Sequence, residues 1–140
     1  PRQLHEGLCR NFVPNTCEIL RDLLPGLRYP ELTYLQPDHE QVAFFRLAPN
    51  SRIQFHQASQ NARLTLHLCL HGCGGKSRIQ VGDRLLRWQE GRVIAFDDSF
   101  LHRVRIDPRR DRWILHVMTA HPGIDTPQKL DEVVSAGRLW

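Results

Sequence analysis

Residues 62–70 decide the fold, and they read Ala-Arg-Leu-Thr-Leu-His-Leu-Cys-Leu. Leucines alternate with other side chains along this stretch, and a period of two places successive side chains on opposite faces of a β-strand. The leucine face comprises Leu64, Leu66, Leu68 and Leu70, and the other face comprises Arg63, Thr65, His67 and Cys69. If the leucines pack outward, Arg63, Thr65 and His67 line a pocket.

Short strands with turn residues between them are predicted on both sides of this stretch. They span residues 42–47, 52–56, 77–81, 84–88, 92–96, 101–106 and 112–119. Gly82-Asp83, Glu90-Gly91 and Asp107-Pro108 are typical turn residues. Strands of this length at regular spacing favour a jelly-roll or barrel over a parallel α/β sheet. We therefore expect a mainly β fold.

Helical signals lie outside this region. Asn15 is the predicted N-cap of a helix, with Glu18 three residues later and Pro25-Gly26 ending it. A short second helix is predicted near Pro127 to Ala136. The 140 residues are the size of one domain. It would comprise a helical lead-in (1–40, with a proline-punctuated loop over 27–40), a β core (41–120) and a tail (121–140).

The charge is basic and consists mainly of arginine. The net charge is +4, and Lys76 and Lys129 are the only lysines. Arginine suits bidentate pairing with carboxylates. Because the arginines are scattered among acids, nucleic acid is not the expected partner. No apolar run reaches membrane-spanning length, and no signal peptide is visible.

Three side chains are candidates for chemistry. His56 closes a strand in which it shares a face with Gln54, opposite Ile53 and Phe55. His102 lies in the strand predicted over residues 101–106, and each histidine alone is more often structural than a ligand. Arg112 shares a face with Ile114, His116 and Met118. Burying an arginine there is costly unless an anion meets it; a salt bridge to Asp98 or Asp111, or exposure at a turn, is the alternative.

The cysteines Cys69 and Cys73 leave two interpretations open. With nearby histidines they could form a structural zinc site, although zinc pairs are usually closer in sequence and repeated. Alternatively they are a strand end and a glycine-rich turn, with or without a disulfide. The sequence does not decide the redox compartment.

Several short motifs together resemble one known family. They are Phe55-His56, Asn61-Ala62-Arg63-Leu64, His67-Leu68, Val81-Gly82, Trp88-Gln89-Glu90-Gly91, Phe96-Asp97-Asp98-Ser99-Phe100-Leu101-His102, Arg112 and His121-Pro122. In this order, from about Pro14 to Pro122, they are similar to the aspartyl/asparaginyl β-hydroxylases, which are iron(II)- and 2-oxoglutarate-dependent dioxygenases. The resemblance implies a double-stranded β-helix (jelly-roll, cupin-like) with an N-terminal and a short C-terminal helix.

The resemblance also implies roles for individual residues. The two iron ligands fall on His56 and His102, and the arginine that binds the distal carboxylate of 2-oxoglutarate falls on Arg112. A histidine near the cosubstrate falls on His67, and an arginine on the substrate side falls on Arg63. Asp97 and Asp98 are candidates to orient a ligand imidazole, with capping of a turn as the alternative.

Three positions depart from common patterns. Ala58 replaces the carboxylate that most related oxygenases carry two residues after the first histidine; this family has glycine there, and iron halogenases also lack that carboxylate. Thr65, on the substrate side, stands where the peptide hydroxylases have another arginine. Phe45 stands where they have a serine near the cosubstrate. Recognition of a substrate aspartate or asparagine is therefore the open point.

The resemblance predicts a hydroxylase that uses molecular oxygen and acts on an aspartyl or asparaginyl residue of a peptide or on a related carboxylate substrate. The alternatives are a non-catalytic jelly-roll that retains a metal or 2-oxoglutarate site, and an oxygenase for an acyl chain or free amino acid. The cytoplasm is favoured over the endoplasmic reticulum lumen. Substrate identity and oligomeric state stay open.

Overall fold

Two antiparallel four-stranded sheets form the body of the protein. The computed structural model describes residues 6–23, 41–124 and 126–136. Its strands are β1 Gln41–Leu47, β2 Arg52–His56, β3 Arg63–His71, β4 Arg78–Val81, β5 Arg84–Leu86, β6 Val93–Phe96, β7 His102–Arg105 and β8 Arg112–Ala120. The strand orders are β1-β8-β3-β6 and β2-β7-β4-β5. This is the mainly β jelly-roll that the sequence predicts.

Helices precede and follow the strands along the described part of the chain. They are α1 Glu6–Asn11, α2 Pro14–Leu23 and α3 Pro127–Ala136. The prediction of Asn15 as N-cap is wrong. The Val13 carbonyl accepts the hydrogen bond from the Cys17 amide at 3.0 Å, and proline is favoured at the first helical position, which Pro14 takes. The predicted helix end at Pro25-Gly26 and the loop over 27–40 lie outside the described residues.

The alternation of β3 is confirmed. Thr65, His67 and Cys69 are buried, whereas Leu64, Leu66 and Leu68 are only partly covered. β8 lies between β1 and β3 and pairs with both. The buried core between the sheets is apolar and includes Ile79, Trp88, Phe96, Val104, Ile106 and Ile114.

A smaller core joins the tail to the barrel. Leu130 and Val133 of α3 are buried with Ala62 and Ile124, and Ala120 at the end of β8 packs against them. The polypeptide after β8 therefore packs against the residue that precedes β3.

The cysteines are paired as Cys9–Cys17 and Cys69–Cys73. The disulfide interpretation of Cys69 and Cys73 therefore holds, whereas a zinc site would need both as separate thiolates. In the part of the chain that the structure describes, no helix is long and apolar enough to cross a membrane.

Candidate functional site

A cavity of about 510 Å³ opens between the two sheets. Its lining includes all six side chains singled out from the sequence: His56, Arg63, Thr65, His67, His102 and Arg112. These residues come from β2, β3, β7 and β8, so strands distant in sequence meet in one place. Apolar side chains from both sheets, among them Ile53, Ile79, Phe96, Val104 and Ile114, form much of the remaining wall.

The His56 and His102 rings lie next to each other, with centroids 4.0 Å apart. Nδ1 of His56 is 2.8 Å from the Gln54 carbonyl oxygen, and Nδ1 of His102 is 2.8 Å from that of Phe100. A carbonyl oxygen can only accept a hydrogen bond, so in each ring Nδ1 is the protonated donor. In the neutral form Nε2 then carries a lone pair, which is the state needed for metal ligation.

The environment of His102 favours that neutral form. His102 is buried, and burial lowers its pKa; the nearby His56 lowers it further, whereas the hydrogen bond to Phe100 and the charge of Asp98 raise it. Desolvation disfavours the charged imidazolium, so these surroundings favour the neutral ring.

A β-bulge corrects the predicted facing of β2. The pairing with β7 shifts between Ile53 and His56, and both of these side chains line the cavity. Strict alternation would have placed them on opposite faces. The extra residue of a bulge re-aims the side chain that follows it, and this brings His56 beside His102.

Arg112 is a buried cation that lines the cavity. It is 2% exposed, and its guanidinium carbon lies 3.9 Å from the centroid of the Trp88 ring. Burial lowers the pKa of Arg112 to about 10, which still leaves it charged at neutral pH. Nε and Nη1 have no hydrogen-bond partner among the described residues. Such donors are costly to bury unless an acceptor meets them.

The alternative salt bridges for Arg112 are not formed by the described residues. Asp111 instead accepts from Arg46 Nε at 2.8 Å and from Trp113 Nε1 at 3.0 Å. Asp98 instead pairs with Arg63, with 3.2 Å between Oδ2 and Nη2. Arg112 is therefore buried and unpaired within the described residues. This is the arrangement that the sequence predicted to be energetically costly.

Arg63, Thr65 and Asp98 form a polar cluster on the cavity wall. Oδ2 of Asp98 lies 3.2 Å from Nη2 and from Nε of Arg63 and accepts from the Thr65 hydroxyl at 3.3 Å. Asp98 therefore does not hydrogen-bond a ligand imidazole as considered above; the Gln54 and Phe100 carbonyls orient the rings. Asp97 caps its turn, accepting from the Ser99 amide at 2.8 Å.

His67 and His116 are directly opposed on β3 and β8. Nε2 of His67 is 3.0 Å from Nδ1 of His116. Burial, together with the smaller effects of His116, Arg112 and His102, lowers the pKa of His67 to about 3. Burial also lowers the pKa of His116. Both rings are therefore neutral at pH 7.

Two residues were missed as site candidates: His116, which lines the cavity, and Trp88, which packs against Arg112. His116 follows Arg112 by four residues on the same strand face, but a single histidine on a mostly apolar strand gave no signal of a partner. Trp88, 0% exposed beneath Arg112, belonged to a recognised motif, yet no sequence rule pairs an indole with an arginine so far along the chain.

The positions that depart from family patterns also line the cavity: Phe45, Ala58 and Thr65. The Phe45 ring lies 4.8 Å from that of His116. Over the described ranges 6–23, 41–124 and 126–136, no three His, Cys, Asp or Glu side chains are grouped to hold a metal ion.

A jelly-roll with histidines from two strands converging in its cavity defines the class as cupin-like. The solved structures similar to this chain include a cupin protein from Bacteroides fragilis (TM-score 0.51, 11% identity, 63% of this chain and 71% of that one). The cupin domain of Schizosaccharomyces pombe Cnp3 matches with a TM-score of 0.51 and 6% identity, over 61% of this chain and 56% of that one. At these identities they show the fold alone.

The sequence comparisons give the family. The family model described as aspartyl/asparaginyl beta-hydroxylase matches residues 3–122, and this protein belongs to that family. It is 32% identical to human and 31% identical to mouse aspartyl/asparaginyl beta-hydroxylase, each over 89% of this chain. The chain spans only 15% and 16% of the length of those proteins. Aspartate beta-hydroxylase domain-containing protein 2 of Xenopus tropicalis is 32% identical over 66% of this chain and 26% of its own length.

Proposed function

We propose that this protein is an iron(II)- and 2-oxoglutarate-dependent hydroxylase for an aspartyl or asparaginyl residue of a peptide or a related carboxylate substrate. One observation carries the proposal. Two histidines with Nδ1 anchored to backbone carbonyls lie 4.0 Å apart by ring centroid, and the buried guanidinium of Arg112 lines the same cavity. Membership of the family agrees with it.

His56 and His102 would hold the iron. Imidazole nitrogens are suitable iron ligands, and the backbone hydrogen bonds leave Nε2 of each ring for this purpose. Ala58, two residues after His56, has no donor atom, so water or another small ligand would complete the coordination.

Arg112 would bind the distal carboxylate of 2-oxoglutarate. Nε and Nη1 are donors that no described residue satisfies, and a carboxylate accepts a fork of guanidinium hydrogen bonds. Trp88 packs against the guanidinium and restricts its orientation. The donor chemistry therefore fits a carboxylate anion.

When bound, iron and 2-oxoglutarate supply oxygen activation, in which 2-oxoglutarate and O₂ give succinate and carbon dioxide while a substrate C–H bond becomes C–OH. The protein contributes placement and the surroundings. Its histidines and Arg112 would orient iron and cosubstrate, and the apolar wall formed by residues such as Ile79 and Val104 excludes water.

Anaerobic titration with iron(II) and 2-oxoglutarate tests the proposal. We expect a weak visible charge-transfer band, and its loss in the His102→Ala variant. The matched control is His71→Ala, because His71 is exposed and does not line the cavity. A folded wild-type protein without the band would refute the iron site.

The Arg112→Leu variant tests the cosubstrate contact separately. We expect 2-oxoglutarate to bind at least about 100-fold more weakly, because a charge-assisted bidentate contact contributes several kcal/mol. Arg84→Leu, at an exposed position on β5, is the control. Unchanged affinity in the Arg112 variant would assign the carboxylate contact to another group.

Arg63 supports a second candidate substrate class. Its guanidinium already pairs with Asp98, and Thr65 donates to the same carboxylate, so an acidic substrate group would meet a balanced charge. This favours an acyl chain or a neutral residue over an acidic one. Succinate release with panels of acidic and neutral peptides, amino acids and acyl compounds separates these cases; a protein that binds 2-oxoglutarate but releases no succinate with any of them is the non-catalytic jelly-roll.

A further inference from the structure

His67 and His116 form a hydrogen-bonded pair that has no role in the proposed iron site. The two rings are joined by a single contact of 3.0 Å between Nε2 of His67 and Nδ1 of His116. The other nitrogen of His67, Nδ1, is buried and has no hydrogen-bond partner within the described part of the chain. His67 is therefore fixed at one nitrogen and unsatisfied at the other.

Only one proton can lie between two neutral imidazoles. If His116 donates from Nδ1, then Nε2 of His67 is the acceptor and the proton of His67 lies on Nδ1. If His67 donates from Nε2, then Nδ1 of His67 carries a lone pair. The position of this proton decides whether His67 offers a donor or an acceptor at its buried nitrogen.

The cavity around the pair favours anions. The unsatisfied Nε and Nη1 of Arg112 are donors, and the charge of Arg112 acts on both histidines. An anion that enters to meet Arg112 is stabilised by a further N–H and repelled by a lone pair. Of the two arrangements, only donation by His116 places an N–H at the unpartnered nitrogen of His67.

We propose that His116 is a positioning residue: its Nδ1–H donates to Nε2 of His67 and so fixes the proton of His67 on Nδ1, where it serves as a neutral second donor for the carboxylate-bearing ligand of Arg112. This rests on the proposed function for the identity of that ligand, but not for the tautomer. His116 touches neither metal nor cosubstrate in this role; it acts through His67.

Imidazole nitrogen NMR measures the tautomer directly. In ¹⁵N-labelled protein without metal or cosubstrate, two-bond ¹H–¹⁵N correlations distinguish protonated from bare ring nitrogens, and a His67→Gln variant assigns the signals. We expect protonated Nδ1 and bare Nε2 in His67. A wild-type spectrum with the proton on Nε2 of His67 would overturn the proposal, whatever the outcome for catalysis.

Two variants test the effect on binding. His116→Leu removes the hydrogen bond, and His116→Asn keeps an N–H donor close to the position of Nδ1. We expect 2-oxoglutarate to bind about tenfold more weakly to the leucine variant, as for the loss of one modest hydrogen bond. The asparagine variant should recover most of this loss and keep the wild-type tautomer of His67.

The controls separate this inference from the proposed function. His71→Leu makes the same replacement at an exposed position and should bind as wild type does. If wild-type protein bound no 2-oxoglutarate, the cosubstrate assignment would fail while the NMR result would still decide the tautomer. If wild type bound it and both His116 variants, with wild-type amide spectra, bound it equally well, the role of His116 would be refuted.

Discussion

Arg112 and the histidines around it show how single side chains can be unfavourable for stability and useful for binding. A guanidinium and an imidazole nitrogen are buried with hydrogen bonds left unmade within the described structure. Such groups cost stability, and functional sites are where costs of this kind are expected to persist. In the proposed site the same groups would donate hydrogen bonds to a bound anion.

The buried His67 should make folding stability depend on pH. Its pKa is about 3 in the folded protein and about 6.5 in the unfolded chain. As the pH falls below about 6.5 the unfolded state takes up a proton that folded His67 does not. Stability contributed by this group is thus present above about pH 6.5 and decreases toward pH 3, by about 1.4 kcal/mol per unit.

Urea denaturation at several pH values between 4 and 7.5 checks this expectation. The His67→Gln variant should have a shallower pH dependence of the unfolding free energy than wild type. His71→Gln, at an exposed ring, is the matched control. An unchanged slope in the His67 variant would show that other groups, such as His102 or His116, cause the acid sensitivity.

His56, His102 and Arg112 could be chosen as candidates from the sequence because each lies in or next to a short motif, and the structure brings all three into one cavity. The sequence did not predict that Asp98 pairs with Arg63, or that His116 meets His67. These contacts join residues 35 and 49 positions apart, and local pattern carries no information about which strands become neighbours. Side chains were predictable; their partners depended on topology.

At the scale of elements, the turn after β3 controls where β8 begins. Gly72 has a φ of +71°, and a Cβ there would collide with the carbonyl oxygen of Asp111. Asp111 immediately precedes Arg112. The close packing of these two backbones therefore fixes the start of the strand that carries the buried guanidinium.

Gly72→Ala should destabilise the protein strongly, by more than about 3 kcal/mol, because it combines left-handed strain with a backbone collision. Gly82→Ala is the control: Gly82 has a φ of +55°, but a Cβ there would meet nothing within 4 Å. That variant should lose only about 1–2 kcal/mol. Thermal unfolding of both variants measures the difference in stability. Equal losses of stability would contradict the predicted collision between a Cβ at position 72 and the Asp111 carbonyl oxygen.

Three arginines lie in a row across the second sheet. Arg105 on β7 is directly opposite Arg52 on β2 and Arg78 on β4. None of the three forms an ion pair with a carboxylate in the described residues. Like charges that face each other across strands are destabilising.

Replacement of the central residue, Arg105→Thr, should stabilise the protein by about 0.5–1 kcal/mol at low salt. The gain should shrink at high ionic strength, because salt screens the repulsion. Arg103→Thr on the same strand is the control and should give no gain, since Arg103 Nε donates to Gln80 Oε1 at 3.0 Å. Melting temperatures at low and high salt test both variants. A stabilisation by Arg105→Thr that does not depend on salt would indicate that the β-propensity of threonine, and not charge repulsion, is the cause.

For the whole molecule, the question is whether the tail belongs to the same cooperative unit as the barrel. Val133 of α3 is 0% exposed and packs with Ala62 and Ile124. Val133→Ala should lower the unfolding free energy by about 2 kcal/mol and keep one cooperative transition. Ser135→Ala, at an exposed position of α3, should change it little. A separate early transition would show that α3 unfolds independently.

The architecture as a whole was predictable because strands alternate with a period of two and turn residues separate them. The strand 52–56 and the helix 127–136 have the predicted bounds. The bulge in β2 was not predictable, because nothing in Ile53 to His56 marks an inserted residue; the pairing with β7 imposes it. Helix α1 was missed since six residues give too few turns for a periodic signal.

The contact between Trp88 and Arg112 gives the protein an intrinsic optical reporter. The indole is fully buried, with a guanidinium 3.9 Å above its ring, whereas Trp113 is 40% exposed. Neutralising that cation with a bound anion changes the electric field on the indole. In a Trp140→Phe variant, which removes the third tryptophan, fluorescence recorded with an aqueous quencher that suppresses the Trp113 signal would therefore follow occupancy of the cavity without any label.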